Sequence, residues 1–186
     1  VVMYAGKLDK FKNGLLLAEA IKDEFQTQSG KRLVFLIIGN TEDLYGQKVE
    51  AVFAQSRNKI IRLPTQDYID LAPLYQAADL AVFPAQCSLS FYDVQSCGIP
   101  VLLERIDLNE KRIRHANGFT FNPGDIGDLR AKIVHCADLP GDEFEKLRSN
   151  SHRHVLENFN FTPIAAKITE IMVDEVQRFR AVGRAV

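Results

Sequence analysis

Three lysines, Lys7, Lys10 and Lys12, fall in one stretch bounded by Gly6 and Gly14, directly after the apolar run Val1–Ala5. Glycine lets a backbone approach a ligand closely. The amphipathic pattern after Gly14 predicts a helix whose first N–H groups lack intrahelical partners and carry partial positive charge. Free amides and ammonium groups in one turn suit a diphosphate. The stretch is not a Walker loop, because G-x-x-x-x-G-K-[ST] is absent. A solvated lysine-rich loop is the competing reading.

A second stretch runs from Phe83 to Asp93, with Gln86, Ser88, Leu89 and Ser90 ahead of a short apolar pattern. Ser88 or Ser90 is placed to cap a helix whose amides would face the first turn. The carboxylate of Asp93, one turn inside, can accept from sugar hydroxyls. The competing reading is an ordinary capped helix with a dipole-compatible acid. Two further turns lie at strand ends: Gly39–Asp43, with Asn40, and the segment at Arg62 and Leu63, which could line a base pocket. Taken alone, Arg62 is more often a surface charge.

The elements that must position these turns follow from periodicity. Short apolar runs at 1–5, 33–38, 59–62, 80–83, 101–103 and 119–121 read as strands. Amphipathic patterns at 13–27, 44–54, 68–77 and 90–97 read as helices between them, and 125–137, 140–158 and 161–178 as helices after them. Continuous apolar strands alternating with helices predict an α/β fold, a doubly wound parallel sheet of about six strands with extra C-terminal helices. In such sheets ligands bind outside the carboxyl ends of the strands, where the four turns lie. Thr162 is read as the N-cap of the last helix, with Pro163 at its first position. His115 is read on a helix.

Composition narrows the function. A net charge of −1 without a basic block argues against nucleic acid. No apolar run reaches the roughly 20 residues that span a bilayer. Cys87, Cys97 and Cys136 show no C-x-x-C and no metal spacing, so they read as free thiols of a reducing compartment. No metal is expected.

Taken in order, these segments resemble the C-terminal domain of the group 1, family 4, glycosyltransferases, which have the GT-B fold. Ala5-Gly6-Lys7-Leu8 with Lys12-Asn13-Gly14 is similar to that family's G-[RK]-L…K-G element. Val34–Gly39 resembles its glycine-terminated strand, and Leu71–Pro84 its "l..lY..aDv.v.PS" segment. Asp93–Val101 resembles "EAmAcGxPVv", and Asn158–Thr162 the aromatic stretch before the last helix.

The resemblance implies a Rossmann-like donor-binding domain over residues 1–160 and a C-terminal helix, 161–186, that packs back toward an N-terminal acceptor domain absent here. It implies retaining transfer of a hexosyl group from a UDP- or GDP-sugar in polysaccharide or glycoconjugate synthesis. The acceptor, a sugar, a lipid-linked sugar or a protein, would be held by the absent domain, so the isolated chain is expected to be inactive. Lys7 and Lys12 would stabilise the leaving diphosphate. Gly6, Asn40, Arg62, Leu63, Gln86, Ser88, Leu89, Ser90 and Asp93 would hold the donor without a cofactor. The expected location is cytoplasmic, with peripheral membrane association of the full-length protein left open. The family's Glu-x7-Glu pattern is altered: Asp93 stands at the second acid, and the first falls on Ala85, leaving Gln86 or Ser88 to face the sugar. Two other readings stay open: another GT-B enzyme half, such as a nucleotide-sugar epimerase or a phosphorylase, and a non-catalytic partner domain.

Overall fold

The computed structural model describes residues 1–85 and 89–182, with the side chains of 181 and 182 left out. Gln86, Cys87, Ser88 and residues 183–186 lie outside the described residues. Six strands, β1 (Val2–Ala5), β2 (Val34–Ile38), β3 (Lys59–Leu63), β4 (Leu80–Phe83), β5 (Val101–Glu104) and β6 (Gly118–Phe121), form one sheet in the order β3-β2-β1-β4-β5-β6. Every pairing is parallel. The helices are α1 (Gly14–Ala20), α2 (Asp43–Phe53), α3 (Tyr68–Gln76), α4 (Ser90–Ser96), α5 (Asp107–Arg112), α6 (Ile126–Asp138), α7 (Gly141–Asn158) and α8 (Phe161–Val182). The doubly wound α/β architecture and its strand number are as the periodicity predicts.

Strand alternation divides the core between the two faces. Val2 and Tyr4 of β1, Phe35 and Ile37 of β2 and Val82 of β4 pack with Leu17 of α1, Val49 of α2 and Ile133 of α6. Met3 and Ala5, Leu36 and Ile38, and Phe83 face the other way onto Tyr75 of α3 and Phe91 and Val94 of α4. Apolar residues on both faces explain why these strands read as continuous runs.

Helix ends differ from the sequence expectations for identifiable reasons. The first helix stops at Ala20 rather than near Thr27. Its freed carbonyls find partners elsewhere: Ser56 Oγ and Asn58 Nδ2 donate to the Ile21 carbonyl, at 2.5 and 2.8 Å, and the Arg130 guanidinium donates to Ala20, Asp23 and Glu24. Phe25 then folds back under Arg130, which lies 4.1 Å above its ring centroid. His115 is not helical: α5 ends at Arg112, whose carbonyl accepts from Asn117 Nδ2 at 3.0 Å, and His115 and Ala116 take φ of 57° and 52°. Asn160, not Thr162, caps α8, accepting from the Thr162 N–H at 3.0 Å. Pro163 therefore sits at the third helical position. Ser90 is the first residue of α4 rather than its N-cap, a position that Leu89 takes. All described side chains from Phe161 to Arg180 are exposed, and Phe161, Ile164, Ile168, Ile171, Met172, Val176 and Phe179 form an apolar stripe along α8.

The carboxyl ends of β1, β2 and β3 are tied together. Gly6 N–H donates to Ile38 at 3.0 Å, and Gly39 N–H to Leu63 at 3.0 Å. Gly39 has φ of 134°, and a Cβ there would stand 1.9 Å from the Gly6 carbonyl oxygen. Arg62 Nη1 donates to the Ile37 carbonyl at 2.8 Å and Nη2 to Gly39 at 3.1 Å. The same guanidinium grips Glu50 at 2.6 and 3.3 Å. Burial works to raise the Glu50 carboxyl, but hydrogen bonds from Arg62 and Thr41 and the Arg62 charge outweigh it and hold it below its ordinary value of 4.5.

Two outcomes are expected in urea unfolding. Gly39→Ala should lose about 2–4 kcal/mol, because neither the backbone conformation nor the Gly6 carbonyl leaves room for a methyl group. Glu50→Gln should cost about 0.5–1 kcal/mol at neutral pH, a value kept small because Glu50 is 38% exposed and solvent screens the pair. A lowered folded-state value means that this contribution is complete above 4.5 and is lost as the pH falls below 4.5 and through the lowered value. The gap between parent and Glu50→Gln should therefore close in acid; a gap that persists there would show the pair to be uncharged in origin.

Candidate functional site

In this sheet β1 pairs with β2 on one side and β4 on the other. The chain leaves β1 for α1 on one face and leaves β4 for α4 on the other. The two turns diverge, and a narrow crevice of about 10 Å³ lies between them at the carboxyl ends. Tyr4, Ala5, Gly6, Lys12, Phe83, Pro84 and Ala85 line it. The lysine turn and the turn before Asp93 thus stand next to each other.

The β1–α1 turn is a built structure rather than a loose loop. Leu8 is buried beneath it, and its N–H donates to the Asn40 carbonyl at 3.3 Å. Asp9 Oδ1 accepts from the Lys12 N–H at 2.8 Å, and the Asp9 carbonyl accepts from Gly14 at 3.3 Å. The Tyr4 hydroxyl donates to the Lys7 carbonyl at 2.5 Å. Burial, reinforced by the Asp9 charge, pushes the Tyr4 phenol well up, so it stays a donor. Asn13 enters α1 through the left-handed region, with φ of 52°. Within this turn Lys7 and Lys10 are exposed and Lys12 is half-buried in the crevice wall.

Beside it lies a cleft of about 350 Å³ lined by Gly39, Asn40, Thr41, Glu42, Glu50, Arg62, Leu63 and Pro64. Arg62 and Leu63 do border this space, but the Arg62 guanidinium is taken up by two carbonyls and Glu50. Asn40 acts as a tie as well: its Oδ1 accepts from the Thr65 N–H at 3.1 Å. Asp93 is half-buried in α4, and its Oδ1 accepts from the Tyr68 hydroxyl at 3.1 Å. Leu89 is 74% exposed and Ser90 half-buried. Gln86 and Ser88 lie outside the described residues.

Sequence reasoning missed Asp9, Glu50 and Tyr68. Asp9 carried a legible signal, an aspartate three residues ahead of the N–H it accepts from, as in turns closed by a side chain. Glu50 and Tyr68 carried none, since their partners are distant in the chain. None of the four histidines lines the crevice between β1 and β4. Among the described residues no group of three or more His, Cys, Asp or Glu is placed to hold a metal.

The sequence pattern of the family described as glycosyl transferases group 1 matches residues 1–138. No curated protein sequence matches the chain. Solved structures share the fold. A glycosyltransferase from Rickettsia africae ESF-5 superposes with a TM-score of 0.77 at 20% identity, over 91% of this chain and 46% of that one. Anabaena HepE, solved with UDP and glucose, gives 0.75 at 20% identity, over 93% and 48%. The catalytic domain of the Helicobacter pylori cholesterol-alpha-glucosyltransferase gives 0.70 at 18% identity, over 84% and 97%. The chain thus spans about half the length of the Rickettsia and Anabaena proteins. With a family match over residues 1–138 and a sheet that opens its crevice between the lysine turn and the turn before Asp93, the chain belongs to the group 1 glycosyl transferases.

Proposed function

We propose that the chain is the donor-binding domain of a retaining glycosyltransferase and binds a nucleoside-diphosphate sugar across the carboxyl ends of β1, β2, β3 and β4. The observation that carries this reading is the shared crevice of Gly6, Lys12, Pro84 and Ala85. It sets a lysine turn against the loop that leads into α4 at the point where the strand order reverses. HepE, which has the same fold, was solved with UDP-glucose.

In this reading Lys12 and Lys7 neutralise the diphosphate. When the glycosyl bond breaks, negative charge grows on the departing phosphate oxygen, and cationic groups held in place stabilise it without reorganising. The lysines supply the counter-charge, so the reading needs no divalent cation. The cleft of Asn40, Leu63 and Pro64 takes the base, and Asp93 accepts from the ribose. Retention of the anomeric configuration, a hexosyl donor and an acceptor held by a further domain are parts of the same reading. The apolar stripe of α8 would cover that domain, and the chain alone would then bind donor and transfer nothing. No described helix is long and apolar enough to cross a membrane; a cytoplasmic location is part of the proposal.

One observation favours a second reading. Ala85, in the crevice wall, presents a methyl group where the family pattern has its first glutamate. A domain that binds nucleotide but serves a partner subunit would tolerate that loss. Donor consumption by the full-length protein separates the two.

Calorimetry with UDP- and GDP-sugars tests the donor reading. One of them should bind, and a chelator should leave the affinity unchanged. Lys7→Ala combined with Lys12→Ala should weaken binding about a hundredfold, since each ammonium would hold the diphosphate through a charge-assisted hydrogen bond. Unchanged affinity in the double variant would remove the diphosphate assignment, and silence with every nucleotide sugar would remove the function.

A further inference from the structure

Tyr68 opens α3 and Asp93 lies in α4, yet the Tyr68 hydroxyl donates to Asp93 Oδ1 at 3.1 Å. The bond joins the starts of two helices that pack on the same face of the sheet. Tyr68 is 71% exposed, so packing does not hold its ring there. Two turns along α3, Tyr75 is 2% exposed, and its hydroxyl has no hydrogen-bond partner among the described residues. Burial first, then the charge of Asp93, pushes that phenol up to about 12, so it too stays a donor. The carboxylate of Asp93 therefore has one oxygen held by a phenol and lies within the electrostatic reach of a second, buried phenol that is unpartnered among the described residues.

Aspartate is one methylene shorter than glutamate, and a half-buried carboxylate without a partner still rotates. Fixing it before a ligand arrives removes part of the ordering cost of binding. With Oδ1 engaged, Oδ2 is left as an acceptor of defined direction. A ligand that covers the pair also excludes water and strengthens both bonds.

We propose that Tyr68 is a positioning residue that holds the Asp93 carboxylate so that the pair selects the ribose hydroxyls of a nucleoside diphosphate. This rests on the donor-binding reading and assigns the sugar preference of that site to a residue on α3.

The test uses the full chain and compares the diphosphates of uridine and guanosine with their 2′,3′-dideoxy counterparts, by calorimetry. The parent should prefer the ribonucleotide about tenfold, the scale of one hydrogen bond to a charged group. Asp93→Asn should abolish the preference. Tyr68→Phe should reduce it to about threefold while leaving the affinity for the dideoxynucleotide unchanged, a split that a purely structural role would not give. Its urea unfolding curve should match the parent, since the ring is exposed. A full preference in Tyr68→Phe overturns the proposal, as does equal weakening of both nucleotides or a parent with no ribose preference. In those cases the donor-binding reading stands. If no nucleotide binds at all, that reading falls and takes this inference with it.

Discussion

Everything at the carboxyl edge depends on β1 pairing with strands whose helices leave in opposite directions. A sheet with apolar side chains on both faces must be covered twice, and right-handed crossovers decide which helix goes where. The β1–α1 and β2–α2 connections cover one face, and β3–α3 and β4–α4 the other. No connection can bridge the gap between β1 and β4 at their carboxyl ends. The crevice is therefore a result of covering the sheet, and the chemistry of its walls depends on what the two turns carry.

The turns after β1, β2 and β3 are also bound to one another. Asn40 touches both neighbours, with its carbonyl on the Leu8 N–H and its side chain on the Thr65 N–H. Arg62 reaches from β3 to the carbonyls of Ile37 and Gly39. Gly39 has no side chain, so its backbone can lie against Gly6. A ligand seated here would meet a surface already ordered by its own hydrogen bonds, and less of its binding free energy would be consumed in arranging it.

The sheet was legible because its central strands β1, β2 and β4 are buried on both faces and so spell continuous apolar runs. The lysine turn was legible because its charges are adjacent in sequence. The ends of helices were not. The length of α1 is decided by Ser56, Asn58 and Arg130, residues far along the chain that take the carbonyls a longer helix would have used. The end of α5 is decided in the same way by Asn117. Arg62 looked available for a ligand because Glu50, its partner, belongs to the preceding helix and shares no local pattern with it. The Tyr68–Asp93 bond was hidden for the same reason. Patterns within one turn of chain can be read; side chains meeting across elements cannot.

The shortness of α1 and α4, seven residues each, has a consequence for how an anion is attracted. Two turns of helix sum few peptide dipoles, and neither N-cap residue, Asn13 or Leu89, caps with its side chain. Most of the pull then comes from ammonium groups that water reaches, above all Lys7. Charges so placed are felt over a Debye length of about 8 Å in physiological salt. On the proposed reading, encounter with a phosphorylated donor would be tuned by the ions of the surrounding medium until something covered the crevice and shut them out.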